Sequence, residues 1–188
     1  MTVSVGQRLG RFEVRGRLGV GGMGDVYRAH DPQLGRDVAI KTLPSAFTND
    51  PDRQRRFERE ARAAASLNHA NILAVHDVGV HEGIPFIVTE LLEGDTLRQQ
   101  MNGRPLAPRK AIEYAMQIAS GLAAGHERGV IHRDIKPDNL FITTDGRVKI
   151  LDFGLAKMID PSDDATVTLE GVPLAPVLGT AAYMLSSP

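Results

Sequence analysis

Residues 132–139 read His-Arg-Asp-Ile-Lys-Pro-Asp-Asn, and residues 152–154 read Asp-Phe-Gly. Taken alone, neither stretch decides anything: a tripeptide recurs by chance, and Asp-Phe-Gly suits an ordinary turn. Their weight comes from what precedes them in the chain. Residues 19–26 read Gly-Val-Gly-Gly-Met-Gly-Asp-Val, a G-x-G-x-x-G-x-V pattern, and Val38-Ala39-Ile40-Lys41 ends 17 positions beyond Gly24.

Gly19, Gly21, Gly22 and Gly24 lack a Cβ, so the backbone there can approach a phosphate and cover it with N–H groups. A dinucleotide-binding fold uses the same glycine spacing, and a flexible turn would also tolerate it. The flanks separate these readings. Residues 11–18 and 25–30 have strand character and Asp31-Pro32 with Gly35 makes a turn, whereas a dinucleotide loop opens a helix. No Gly-Lys-Ser/Thr follows, which removes a Walker-type phosphate loop. Residues 37–43 are the third strand and carry Lys41. A lysine there is ordinarily a snorkelling surface charge. In a buried site it needs an acid to keep its proton, and Glu60 in the following helix can supply one.

That helix is predicted from an Asp50 cap and Pro51 at its first position through an Ala/Arg/Glu-rich run to Leu67. Residues 72–80 and 84–91 read as two more strands. Asp95 or Thr96 caps a short helix. A longer one sets Ile112, Ala115, Ile118, Ala119 and Leu122 at helical spacing and ends near Gly129. Short β segments follow at 139–142 and 147–150, then an irregular tail. Strands, one helix, strands and then helices predict two lobes joined near residues 90–94.

In this order the stretches resemble the protein-kinase superfamily, most closely the eukaryotic-like (Hanks-type) bacterial serine/threonine kinases, from about residue 12 to residue 184. The resemblance implies an α+β, protein-kinase-like two-lobe fold. Residues 1–92 would form a β-rich N-lobe with one helix, and residues 93–188 an incomplete, helical C-lobe. It implies ATP- and Mg²⁺-dependent phosphoryl transfer to Ser/Thr hydroxyls of a protein substrate, where positioning and charge neutralisation do most of the catalysis. By resemblance Asp134 accepts the hydroxyl proton, Lys136 steadies the γ-phosphate, and Lys41 is aimed by Glu60. Asn139 and Asp152 would hold two Mg²⁺ ions. Lys136 is the serine/threonine-kinase choice, and Ile135 stands where leucine is more common. Adenine would lie between Leu18, Val26 and Ala39 above and Phe141 below, with Leu151 behind. Backbone groups of Glu90 and Leu92 would bind its edge, beside Thr89 as gatekeeper. Arg133 resembles the arginine that pairs with a phosphorylated activation loop, with Thr166 and Thr168 as candidate phosphosites. Gly179-Thr180 resembles the substrate-receiving loop.

The family continues past its Gly-Thr-x-x-Tyr-Met with Ser-Pro-Glu and further helices. Here Met184 is followed by Leu185-Ser186-Ser187-Pro188. The expectation is a kinase truncated within its C-lobe, with the apolar face of the 112–122 helix and Val130-Ile131 meeting water. Each buried Leu or Ile contributes ~1.5–3 kcal/mol, against ~5–15 kcal/mol for a whole domain. An uncovered face of that kind favours aggregation or self-association. The alternative reading is an inactive nucleotide- or partner-binding module.

Composition adds exclusions. With 188 residues, 42% hydrophobic and 24% charged, the chain is an ordinary globular one. A net charge of -1 gives no field for nucleic acid. There is no cysteine, so no disulfide or thiolate metal site. The six histidines lack metal-ligand spacing, and His76 and His81 flank a strand. No apolar run approaches the ~18 residues of a membrane span and no signal-peptide core opens the chain, so the default expectation is cytoplasmic.

Overall fold

Period-two burial builds the first sheet in the computed structural model, which describes residues 3–21, 24–43 and 51–153. Six antiparallel strands are involved: β1 (Arg8–Leu9), β2 (Phe12–Gly21), β3 (Gly24–Asp31), β4 (Arg36–Thr42), β5 (Val75–His81) and β6 (Ile84–Glu90). They lie in the order β1-β2-β3-β4-β6-β5. Phe12, Val14, Tyr27, Ala29, Val38, Ile40, Phe86 and Val88 fill one core. A second core is formed where Phe57 and Ala61 of helix α1 (Pro51–Ala65) meet Leu43 and Ile87. Strand β6 contributes to both, which is why five consecutive residues of it are buried.

After β6 the chain runs through residues 91–93 into a second sheet of β7 (Gly94–Thr96), β8 (Leu140–Thr143) and β9 (Val148–Ile150). Between β7 and β8 lie α2 (Leu97–Met101), α3 (Pro108–Glu127) and a 3₁₀ turn at Pro137–Asn139. Thr96 caps α2 in a reciprocal capping box with Gln99. Helix α3 packs its Tyr114 and Gly121 onto Leu97, Leu140, Ile142, Val148 and Ile150. Gly121 permits the close approach: a Cβ there would stand 2.7 Å from Ile150 Cδ1.

The segment between α1 and β5 stitches the two sheets together. Ile72 bridges Ile150 in parallel, Ile150 N–H donates to Asn71 O at 2.8 Å, and Leu73 N–H donates to Ile150 O at 3.0 Å. The buried Asn71 amide donates to Gln117 Oε1 at 3.0 Å and Val148 O at 2.9 Å. Gln117 Oε1 also accepts from Val148 N at 2.8 Å.

Several sequence expectations are corrected. Strands β1 and β7 are too short to show a periodicity and were not anticipated. β5 begins at Val75, not at residue 72, because Ile72 is taken by Ile150. His76 and His81 lie on β5 itself. The cap of α2 is Thr96, not Asp95. The Asp50 cap lies outside the described residues. On α3 the inward stripe runs through Tyr114, Ile118, Gly121, Leu122 and Gly125, so Ala115 and Ala119 face outward. Two glycines in the stripe hide it from an apolar count. Ile112 (62% exposed), Met116 (69%) and Ile131 (56%) meet water as expected, whereas Val130 packs against the core.

Asn71→Ala should lower stability by about 1–3 kcal/mol, because Gln117 Oε1 and Val148 O each lose a donor in a buried place. Urea unfolding checks this: the midpoint should fall with an unchanged slope.

Candidate active site

A cavity of about 470 Å³ opens between the two sheets. Its roof is Leu18 and Gly19 from β2, Val26 from β3 and Ala39 from β4. Thr89, Glu90 and Leu92 form its edge, and Phe141 and Leu151 its floor and back. Eleven site residues singled out from the sequence are thereby brought together, Lys41 and Asp152 included. Gly24 does not line the cavity, and neither Gly22 nor the surroundings of Gly21 fall within what is described. The glycine stretch is a narrow hairpin in which Gly21 pairs with Gly24. Gly24 has a φ of +114°, and a Cβ there would sit 1.7 Å from Thr42 O, so packing on β4 demands glycine at that position. Nothing lies within 4 Å of the corresponding point at Gly19.

The same cavity is also lined by Ala64, Ile72, Val75, Ile87 and Phe153, an apolar extension of the predicted set. Sequence reading missed this extension, since such residues carry no signal beyond that of ordinary core. Asp95, Thr96 and Gln99 stand among the lining residues as well.

Two polar clusters follow, and of these Lys41 and Asp152 line the cavity. Lys41 Nζ lies 2.5 Å from Asp152 Oδ2, joining residues 111 apart in sequence. Their side chains are 16% and 21% exposed, so each charge is largely desolvated and depends on the other. Lys136 Nζ lies 2.6 Å from Asp134 Oδ2, and Asn139 Nδ2 donates to Asp134 O at 2.8 Å and Oδ2 at 3.0 Å. Glu60 belongs to α1, but its side chain lies outside the described residues; the acid on Lys41 among the described residues is Asp152.

Two of these positions carry backbone strain. Arg133 (φ 70°) and Asp152 (φ 52°) are left-handed without being glycine, a conformation that persists only where the surroundings impose it. Buried His132 supplies much of that constraint. Its Nε2–H donates to Leu151 O at 2.8 Å, its Nδ1 accepts from Asp134 N–H at 3.2 Å, and its ring meets Phe153 edge-on at 5.2 Å. A carbonyl can only accept and an amide only donate, so the imidazole is the neutral form. Leu151 N–H in turn donates to Asn139 O at 2.9 Å. Burial, the largest influence, pushes the His132 pKa below its ordinary 6.5. Arg133 is exposed, and the segment it was expected to pair with, including Thr166, Thr168 and Gly179-Thr180, lies outside the described residues.

The donor set suits a hard cation. Mg²⁺ takes oxygen ligands, keeps several waters and binds one or two carboxylates together with phosphates. The Asp152 carboxylate and the Asn139 side-chain carbonyl are ligands of that kind, and both belong to the network around Asp134 and Lys41.

Residues 12–185 match the family described as the protein kinase domain. A probable serine/threonine-protein kinase of Streptomyces coelicolor is 45% identical over 180 residues, covering 93% of this chain and 26% of that protein. The serine/threonine-protein kinase PknB of Mycobacterium leprae is 42% identical over 179 residues, covering 93% of this chain and 28% of the relative. The chain thus spans about a quarter of the length of these curated relatives. Among solved structures, the PknI kinase domain of M. tuberculosis superposes with a TM-score of 0.75 at 32% identity, over 81% of this chain and 62% of that one. The apo form of PpkA-294 gives 0.75 at 27% identity, over 90% and 68%.

The lowered His132 pKa makes stability depend on pH. The unfolded chain takes up a proton below about pH 6.5 that the folded chain refuses, so the stability His132 contributes is intact above that value and is lost as the pH falls below it. Melting temperatures measured from about pH 7.5 down to about pH 5 should fall, and His132→Phe should show a shallower fall from a lower starting point. His76, also lowered by desolvation, keeps its share in the variant. Parallel curves would remove His132 from the linkage.

Proposed function

This chain belongs to the protein kinase family, and from that premise we propose that it transfers the γ-phosphoryl group of ATP to Ser/Thr hydroxyls of proteins. The observation that carries the proposal is a set of two lysine–carboxylate pairs: Lys41–Asp152 lines the apolar cavity, and Lys136–Asp134, with Asn139, is tied to it through Leu151, which bonds to His132 and Asn139. In this reading residues 1–92 act as the N-lobe and residues 93–188 as the portion of the C-lobe in this chain.

Bound Mg-ATP supplies an activated phosphoryl group whose charge the cation partly neutralises. The protein's residues do the rest. Leu18, Val26, Ala39 and Phe141 offer apolar faces that fit an adenine ring, and the backbone at Glu90 and Leu92 offers hydrogen-bonding groups to its edge. Lys41 places a positive charge beside Asp152, where phosphate oxygens would lie. Asp152 and Asn139 would hold Mg²⁺. The substrate hydroxyl oxygen bonds to phosphorus as the bond to the leaving ADP oxygen breaks, and the hydroxyl proton passes to Asp134. Lys136 and Asn139 both engage Asp134 Oδ2, which leaves Oδ1 to take that proton. Lys136, held on Asp134, would steady the phosphoryl group in flight. Sharing out the charge in this way is positioning and electrostatic catalysis. With ATP as donor and a protein as acceptor, we infer a signalling role in the cytoplasm.

The test is intact mass of the purified chain after incubation with Mg-ATP. Phosphoryl additions should appear on the wild type, with Thr166 and Thr168 as the expected positions. Asp134→Asn should slow them by about 10²–10⁴-fold, Asp152→Asn should abolish them, and Lys41→Met should slow them by weakening phosphate placement. A folded chain that binds Mg-ATP yet gains no mass would instead be a non-catalytic nucleotide-binding module.

A further inference from the structure

Lys149 has no part in that chemistry, yet it is held as firmly as the residues that do. It occupies the middle of the three-residue strand β9 with its side chain only 12% exposed. Lysine is almost never buried to that extent without a partner. Its Nζ lies 2.6 Å from Glu90 Oε1 and 3.4 Å from Ile72 O. Glu90 is held from another side as well: Oε1 accepts from Ala74 N–H at 2.8 Å, and Glu90 N–H donates to Ala74 O at 3.0 Å.

The placement of the two residues gives the contact its meaning. Glu90 is the last residue of β6, lines the cavity, and precedes residues 91–93, through which the chain passes between the sheets. Lys149 stands opposite Phe141, the cavity floor, and three residues ahead of Asp152. One ion pair therefore ties the start of the linker to the strand that delivers Asp152, with the 72–74 segment held between them. Because the pair is largely desolvated, removing the ammonium leaves a half-buried carboxylate short of its strongest partner. The linker that follows Glu90 is joined to the second sheet at Glu93 O, which accepts from Thr144 N–H at 3.0 Å, and it is the backbone next in line to respond.

We propose that Lys149 is a positioning residue which, through Glu90, latches the linker at the cavity edge. With the latch closed, the linker backbone holds one conformation and the two sheets hold one separation. The proposal rests on the nucleotide-binding reading above only for its second readout.

Amide hydrogen exchange on the whole chain tests the latch without any nucleotide. Lys149→Met should speed exchange at residues 91–94 about five- to tenfold while Val38 and Ile40, in the core of β4, keep their protection. Lys149→Arg retains a cation that reaches the carboxylate and should restore slow exchange. Glu90→Gln should loosen the same amides, and the double variant should be no looser than either single one. In the second readout, Lys149→Met should raise the KM for ATP about three- to tenfold with kcat within about twofold, and Lys149→Arg should reverse the change. Unchanged exchange at 91–94 overturns the latch, and so does a loss of protection spread evenly over β4. A loosened linker in a chain whose wild type fails to bind Mg-ATP upholds the latch and overturns the nucleotide reading instead.

Discussion

The charged lining of the cavity depends on bringing a cation from one sheet against an anion from the other. Lys41 sits on β4 and Asp152 just beyond β9, and each is too desolvated to stand alone. The Coulomb gain of such a pair offsets its desolvation only when the geometry is held fixed. The structure around it can be understood as the means of holding it. The β4–β6 pairing places Lys41 opposite Ile87 in the middle of the sheet. The Ile72–Ile150 bridge then sets the height of the second sheet below it.

Asp152 could not reach Lys41 from a relaxed backbone of this course, since its own φ is left-handed. The opposing forces are packing and hydrogen bonding. Phe153, the next residue, is buried under α3, where Gly125 makes room: a Cβ there would lie 2.2 Å from the Phe153 ring. His132 grips Leu151 O on one side and Asp134 N–H on the other. One neutral imidazole thus spans the loop bearing Asp134 and the loop bearing Asp152. Protonating it would replace an acceptor at Nδ1 with a donor facing a donor, in a place where burial already lowers its pKa. The histidine serves as a hinge pin between two loops, with no need to exchange protons with a substrate.

The sequence disclosed the residues whose chemistry is unusual for their setting, and failed where the meaning lay in a distant partner. Asp134, Lys136, Asn139 and Asp152 stand out because charges and amides crowd a short stretch. Lys41 stands out as a charge ending an apolar run. Asn71 with Gln117, 46 residues apart, and Lys149 with Glu90, 59 apart, look like any polar residue in a surface segment. Nothing local marks them, because their roles exist only after the sheets meet. The face of α3 was misjudged for a related reason. Gly121 and Gly125 are buried because Ile150 and Phe153 press against them, and an apolar count gives glycine no weight.

The glycine hairpin shows how far a motif can mislead when its residues are given one shared purpose. Gly24 is required by the protein itself, since any side chain would collide with the β4 backbone at Thr42. That requirement would hold in a fold that bound no phosphate at all. Gly19 is different: it lines the cavity, and open space faces the point where its Cβ would be. The same openness faces Gly16, Gly35 and Gly103, so it sets no requirement of its own. Of the two positions that fit the same pattern, Gly24 is fixed by the hairpin that roofs the cavity, and packing leaves Gly19 unconstrained.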